Sequence, residues 1–515
     1  MSILCRGNII NFIHELFESR AIKQPSEVAL CYEGQTLTYQ ELNQRANQLA
    51  HFLIELGVGP GDLIGICQVR SFDMVIAILA VLKVGATYVP IDPITPLQRL
   101  ATIINAAKPR LILIHQLTGE SITLPITLIN VSHEKYLIER QPVTNVKVDT
   151  TKIDLAYVIF TSGTTGVPNG VSIQHRNLIN LMQAAEQVYN FDAKDIWSLF
   201  HSYAFDFSVW EIWGALAFGG KLVIIPYYVS RTPNEFFKLI ADEQVTILNQ
   251  TPAAFYQFIE ADRVLNKSNS LRVVILGGEA VDTSLLKPWF TKYGDHHPKV
   301  YNMYGITEVT IHATYYLLTL NDRKHHKSCI GKPLPNYDIL LCDEQNQPVK
   351  AGEVGEICIS GKGVAKGYFN NRELTKTKFI KLENSSGSVI VYKSGDLGYC
   401  DEDNNIVYIG RNDYQVKIRG FRIELTEIES ILNQQPEVTF SVVIVKNKVA
   451  EKRKLIAFVQ LKPTFSNRLT ERELKNRLKH LLPSYMVPTR IIFISEIPLT
   501  TNGKVNREAL LSSCK

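Results

Sequence analysis

The segment 161–170, TSGTTGVPNG, concentrates groups able to hold an anion. Its glycines let backbone N–H groups approach a phosphate closely, and three threonine hydroxyls and one serine hydroxyl can donate further hydrogen bonds. It lacks the Gly-Lys-Ser/Thr ending of a Walker A loop, and taken alone it could also be a plain hydroxyl-rich turn. Three more polar or glycine-containing segments follow short apolar runs in the same way. The run 245–248 (VTIL) leads to Asn249 and Gln250, 272–276 (RVVIL) to Gly277, Gly278 and Glu279, and 299–301 (KVY) to Asn302, Met303, Tyr304 and Gly305. Ligands of open α/β sheets gather beyond the carboxyl ends of the strands, so four such segments predict one composite site.

The elements that must position these segments alternate along the chain. Thr38 and Glu41 form a capping box, and Leu42, Ala46, Leu49 and Leu53 follow at helical spacing, which makes this the first clear helix. Gly57 closes it, and Pro60-Gly61 turns the chain into the apolar run 63–67, a buried strand. Repetition of this pattern predicts an α/β fold with mainly parallel sheets. Beyond about residue 330 short strands and turns predict a β-rich subdomain, and the polar stretch 383–387 (ENSSG) reads as a surface loop. From Asp413 onward a compact α+β unit is expected, with an amphipathic helix from Thr470 that carries Leu474, Leu478 and Leu481 and stops at Pro483. The predicted organisation is a large N-terminal α/β domain over 1–412 and a small, mobile α+β domain over 413–515. A chain of 515 residues is too long for one core.

Bulk properties narrow the class. Hydrophobic residues at 45% and charged residues at 20% are ordinary for a soluble globular protein. The formal charge of +5 is small and its lysines and arginines are spread, which speaks against nucleic acid as a partner. Eight cysteines without a CxxC pair or Cys/His metal spacing fit reduced thiols in a cytoplasmic protein, with Cys67 and Cys358 in strand-like runs. No signal peptide and no apolar stretch long enough to cross a membrane are read in the sequence, so no membrane partner is expected.

The 161–170 segment resembles the phosphate-binding signature of the adenylate-forming superfamily, which includes peptide-synthetase adenylation domains, acyl-CoA synthetases and luciferases. The resemblance spans nearly the whole chain: 37–43 (LTYQELN), 302–308 (NMYGITE), 392–397 (YKSGDL), 410–420 (GRNDYQVKIRG) and 498–504 (PLTTNGK) follow in order. The segments 205–208 (FDFS) and 482–486 (LPSYM) are similar to the amino-acid-activating branch in particular. The resemblance implies ATP as cosubstrate and Mg²⁺ as metal. Thr161, Ser162, Gly163, Thr164, Thr165 and Gly166 would cradle phosphate, and Gly278, Glu279 and Gly305 would line the nucleotide site. It implies that Tyr304 stacks on adenine with Asn302 at the exocyclic amine, and that Thr307 bonds the α-phosphate. Glu308 would hold Mg²⁺, a hard cation that prefers carboxylate and phosphate oxygens. Asp396 would accept both ribose hydroxyls, helped by Tyr408 and Arg411, with a simple turn position as its structural alternative. Lys504 would bridge the attacking carboxylate and the α-phosphate, offsetting the repulsion between two anions. One departure stands out. Asn169 replaces the lysine usual in the phosphate loop, which removes a cation near the β- and γ-phosphates, whereas Ile306 in place of proline has little chemical consequence.

The same resemblance places Asp206 against the α-ammonium of an amino acid, an interaction worth roughly 1.5–3 kcal/mol when charge-assisted and desolvated. A helix N-cap is the structural alternative. Phe207, Trp210, Asn249, Ile275, Gly277, Met303, Ile311 and His312 match the remaining pocket positions, and together they are similar to the pocket of threonine-activating domains. Asn249 and His312 suit a short hydroxyl side chain, or else bond only to protein or water; serine, proline and valine are the competing amino acids. An acyl-CoA synthetase-type ligase and a non-catalytic nucleotide-binding module are the alternatives at the level of function. For the second half-reaction the resemblance implies a hinge at Asp413, entry of Lys417 after rotation, and transfer to the phosphopantetheine thiol of a peptidyl or acyl carrier protein. Some members also need a small accessory activator protein. The chain ends soon after Lys504, so a freestanding enzyme or a piece of a larger synthetase is expected.

Overall fold

The structure is a computed structural model that describes residues 10–115, 126–163, 168–324, 328–384, 387–413, 415–446, 453–462, 469–498 and 505–513. By its internal contacts the chain forms two units. The larger comprises Met1–Pro93, Ala107–Ile159 and Gly170–Asn412, and the smaller comprises Ile94–Ala106, Phe160–Asn169 and Asp413–Lys515. The break after Asn412 adjoins the sequence boundary at Asp413, but two segments from the N-terminal half group with the smaller unit.

In the larger unit six strands lie side by side and parallel, in the spatial order Val28–Tyr32, Lys221–Ile224, Ile196–Leu199, Ile247–Gln250, Val273–Leu276 and Lys299–Tyr304. Helical layers on both faces explain why the strands Ile247–Gln250 and Val273–Leu276 are buried at every position. The two-residue period sorts their side chains. Ile247, Val273, Ile275, Tyr301 and Met303 join a core with the helix Phe207–Leu216, while Leu248, Val274, Leu276 and Val300 join another with Phe255 and Trp289. Past Lys299–Tyr304 the sheet turns antiparallel through Thr314–Leu318, Ser328–Pro333, Ile406–Arg411, Gly387–Cys400, Gly355–Gly361 and Tyr337–Cys342. The expected β-rich region is therefore an extension of the main sheet.

A second sheet runs Gly367–Tyr368, Asn169–Gln174, Leu155–Thr161, Thr87–Pro90, Leu63–Cys67, Leu111–Ile114, Thr127–Asn130. The helix Tyr39–Glu55 starts on the Thr38–Glu41 capping box read from the sequence. An earlier helix, Ile13–Lys23, was not expected: its N-cap is Phe12, so the usual cap residue is missing, and Glu15 Oε2 instead accepts the N–H groups of Asn11 and Phe12. The 383–387 stretch departs from the loop reading. The strands Phe379–Asn384 and Gly387–Cys400 pair antiparallel through it, so its polarity marks a hairpin end; residues 385–386 lie outside the described residues. Cys67 and Cys358 are buried strand residues, and the described cysteines are free thiols. Among the described residues no helix is long and apolar enough to cross a membrane.

The smaller unit contains the hairpin Gln415–Ile418 with Phe421–Glu424 and the helix Leu425–Asn433. A three-stranded sheet of Val438–Lys446, Lys454–Leu461 and Arg490–Ile494 follows. The helix Glu471–Leu481 is capped by Thr470, and Leu474 and Leu478 are fully buried beside Ile428, Leu432 and Met486.

Candidate functional site

Strand register gathers the pocket residues of the larger unit. Asn249 sits opposite Ile275, and Ile275 opposite Tyr301, so Asn249, Ile275 and, two residues on along each strand, Gly277 and Met303 fall on one face. The helix Phe207–Leu216 supplies Phe207 and Trp210 three residues apart. Trp210 Nε1 donates to Asn249 Oδ1 at 2.9 Å. Because indole N–H can only donate, this bond fixes the amide orientation and leaves Nδ2 as the outward donor. That Nδ2 is buried and has no hydrogen-bond partner, nor have Nδ1 and Nε2 of His312. The His312 ring stands edge-on to Trp210 at 5.0 Å and to Phe207 at 5.2 Å. Burial, reinforced by His201, pulls its imidazole down to about 3, so it is neutral and offers one donor and one acceptor.

Gly277 keeps this space open, since a Cβ there would lie 3.3 Å from His312 Cε1 and 3.5 Å from Phe207 Cε1. His312 is delivered by a strained turn: Thr310 has φ +62 and Ile311 φ +72. A β-branched residue in the left-handed region costs on the order of 1–3 kcal/mol, and such strain concentrates at ligand sites. Thr310 Oγ1 holds the turn by donating to Gly363 O at 2.6 Å, and Gly305 lets Ile311 O approach where a Cβ would stand 2.1 Å away. Asp206 occupies the N-cap position of the helix Phe207–Leu216 but makes no side-chain cap hydrogen bond. Its charge acts, after burial, to raise the Tyr157 hydroxyl well above the ordinary tyrosine range.

A second group of expected residues lies on the antiparallel side. Asp396 is fully buried; Tyr304 donates its hydroxyl to Oδ2 at 2.7 Å and Arg411 Nη1 donates to Oδ1 at 2.8 Å. Asp396 lies within the strand Gly387–Cys400, so the turn alternative falls, and both oxygens already have protein donors. Tyr408 stands 6.3 Å from Tyr304, ring centre to ring centre. Asn302 donates Nδ2 to Cys329 O at 2.6 Å, which commits one side of its amide. Glu308 is buried and accepts from Tyr368 at 2.7 Å, a tyrosine that is also 3.1 Å from the Tyr392 hydroxyl; Thr307 precedes it in the short helical turn Thr307–Val309. Gly278, at φ +84, and Glu279 follow the strand Val273–Leu276. A carboxylate beside a hydroxyl fits Mg²⁺, which takes one or two protein oxygens together with phosphates; among the described residues no cluster of three or more acidic, His or Cys ligands exists.

The smaller unit carries the rest. Thr161 Oγ1 donates to Asn169 O at 3.3 Å, and Ser162 Oγ donates to Arg422 O at 2.9 Å. Gly163 N–H donates to Glu427 Oε2 at 3.3 Å, and the other oxygen of Glu427 is paired with Arg99. Burial pushes the Glu427 carboxyl up, although Arg99 opposes the shift. Asp413 accepts from Gln415 N–H at 3.1 Å, and Lys417 lies in the strand Gln415–Ile418. Thr164, Thr165, Gly166 and Lys504 lie outside the described residues. Sequence reasoning missed Arg99, Glu427, Tyr368 and the partly buried pair of His201 Nδ1 with Glu211 Oε1, 3.0 Å apart. Acidic or basic residues distant in sequence give no local signal of pairing, and only the fold reveals them.

Residues 17–369 match the AMP-binding enzyme family and residues 427–504 the AMP-binding enzyme C-terminal domain. The chain is 42% identical over 96% of its length to the dimodular nonribosomal peptide synthase of Bacillus subtilis (strain 168), of which it spans 21%. It is 39% identical to syringomycin synthase SyrB1 of Pseudomonas syringae pv. syringae, covering 97% of this chain and 81% of that protein. Among solved structures it superposes with TM-score 0.85 and 25% identity on a nonribosomal peptide synthetase protein containing adenylation and PCP domains, covering 98% of this chain and 84% of that one. The chain belongs to the AMP-binding enzyme family, in its branch of nonribosomal peptide synthetase adenylation domains, and is an ATP-using adenylating ligase.

Proposed function

We propose that the protein activates L-threonine as threonyl-AMP with release of pyrophosphate and then passes the threonyl group to the phosphopantetheine thiol of a carrier protein. The observation that carries the substrate assignment is the set of unmatched polar atoms in an otherwise apolar pocket: Asn249 Nδ2, a donor, and both nitrogens of neutral His312. A single hydroxyl can accept from Asn249 Nδ2 and pair with one nitrogen of His312, and the threonine methyl meets Phe207, Trp210 and Met303. Valine would leave these groups unpaired, so its rejection is strong; serine lacks only a methyl, worth about 1–3 kcal/mol.

Asp206 binds the ammonium group, and Lys504 draws the substrate carboxylate to the α-phosphate, where Thr307 bonds it. Asp396 with Arg411 fixes the ribose, Tyr304 and Asn302 the adenine. Glu308 would hold Mg²⁺, which would supply positive charge to the phosphates when bound. Asp413 serves as the hinge and Lys417 acts in the thiolation state. The carrier protein is proposed because a neighbouring fold couples adenylation and PCP domains in one chain; an accessory activator protein belongs to the same proposal. The test is amino-acid-dependent exchange of labelled pyrophosphate into ATP across all amino acids. Threonine is expected to give the largest signal, and a larger one from an unrelated side chain sinks the assignment.

A further inference from the structure

Asn169 stands where the resemblance implies a lysine in the phosphate loop, and in the smaller unit Glu427 links the loop's Gly163 to another cation. Arg99, on the helix Leu97–Ala107, pairs with Glu427, whose second oxygen accepts the Gly163 N–H at 3.3 Å. The side chains of Arg99 and Glu427 are only 9% and 1% exposed. An anionic oxygen pair thus rests on a loop amide and a guanidinium, the donor combination that holds a phosphate. Glu427 also lies in the first turn of the helix Leu425–Asn433, where an acid is expected on any account, but that position does not require a bond to the loop.

We propose that Gly163 N–H and Arg99 form an anion subsite, filled by the Glu427 carboxylate in the arrangement seen here and taken over by a terminal phosphate of the nucleotide, so that Arg99 supplies the charge missing at Asn169. The proposal rests on the adenylating activity but not on the identity of the amino acid. Glu427 acts as a placeholder: it keeps the buried guanidinium and the loop amide satisfied, and it must withdraw before phosphate can bind. Arg99 lies outside the loop motif, which is why the loop's own residues do not reveal it.

Calorimetric titration of the full chain with MgATP and with AMP, without amino acid, tests this independently of the substrate pocket. Arg99→Ala is expected to weaken ATP binding roughly 10–100-fold while AMP binding changes by less than about threefold. Adding Asn169→Lys to Arg99→Ala should recover about tenfold or more, and Glu427→Gln should tighten ATP severalfold by removing the competing charge. Unchanged ATP affinity in Arg99→Ala, equal loss for AMP, or no recovery with Asn169→Lys overturns the subsite. Where Arg99→Ala does not fold, Arg99→Ala/Glu427→Ala leaves no buried charge unpaired; ATP affinity in that variant equal to that of Glu427→Gln overturns it as well. A failed threonine assignment in the exchange panel leaves these titrations unaffected.

Discussion

The two ends of the larger unit's site are built on opposite principles. At the antiparallel end each oxygen of the charged centre has a protein donor: Asp396 accepts from Tyr304 and Arg411, Arg411 Nη2 donates to Ser394 O at 3.0 Å, and Asp396 N–H donates to Ser394 Oγ at 3.0 Å. In the pocket the polar atoms are left over, with Asn249 Nδ2 and both His312 nitrogens buried and unmatched. An unmatched buried group costs about 1–3 kcal/mol, so the pocket is destabilised until a ligand completes it, whereas the Asp396 cluster is already paid for by its own partners. One end is bonded within the protein, and the other holds buried polar atoms without a partner.

The largest expected effect removes neither end. Lys504→Ala should lower threonyl-AMP formation by several orders of magnitude while leaving transfer from supplied adenylate intact, measured by exchange and by carrier loading. Equal loss in both assays breaks the division of labour between the two half-reactions. Next comes Asp396→Ala, which strands the buried Arg411 charge. Breaking a buried pair costs about 3–5 kcal/mol, so chemical denaturation should show a loss of that order, with a raised KM for ATP.

The pocket should respond in the opposite sense. His312→Phe removes two unmatched nitrogens and is expected to stabilise the fold by about 1 kcal/mol while cutting the threonine-to-valine ratio in kcat/KM roughly 10–100-fold. A destabilised His312→Phe with unchanged selectivity breaks the comparison at its centre.

Much of this was legible in the residues. The Thr38–Glu41 box, the 63–67 strand and the Thr470 helix appear as read, because caps and periodicity are local properties. The strand-end segments were also legible, although Asn249 and Asn302–Tyr304 prove to be strand residues themselves. The bond from Trp210 to Asn249 Oδ1 was not legible, since a separation of 39 positions carries no sign of that contact. The helix Ile13–Lys23 was hidden by an atypical cap, and Arg99 with Glu427 by a separation of 328 residues.

The smallest effect concerns acid, and its sign follows from burial. His312 is pulled down to about 3 in the folded chain against an ordinary value of 6.5, and His175 likewise to about 3; His14 is lowered too, by burial first and then by His175 and Lys83. Over the interval between those values the unfolded chain binds protons that the folded chain refuses, so stability rises with pH and falls as pH drops below 6.5. Each such histidine contributes at most 1.36 kcal/mol per pH unit, or about 1–2 kcal/mol between pH 6.5 and 5. His14 and His175 sit together by the first helix, where His175 Nδ1 accepts Ile13 N–H at 3.2 Å, and they share no ligand role with His312. Denaturation of the parent and of His312→Phe at pH 6.5 and 5.0 should therefore differ in slope by one proton, with the variant losing less on acidification. Parallel slopes mean that His312 takes up a proton as readily folded as unfolded. In that event the His312 nitrogens reach water, and the demand for a substrate hydroxyl on which the proposed selectivity rests is absent.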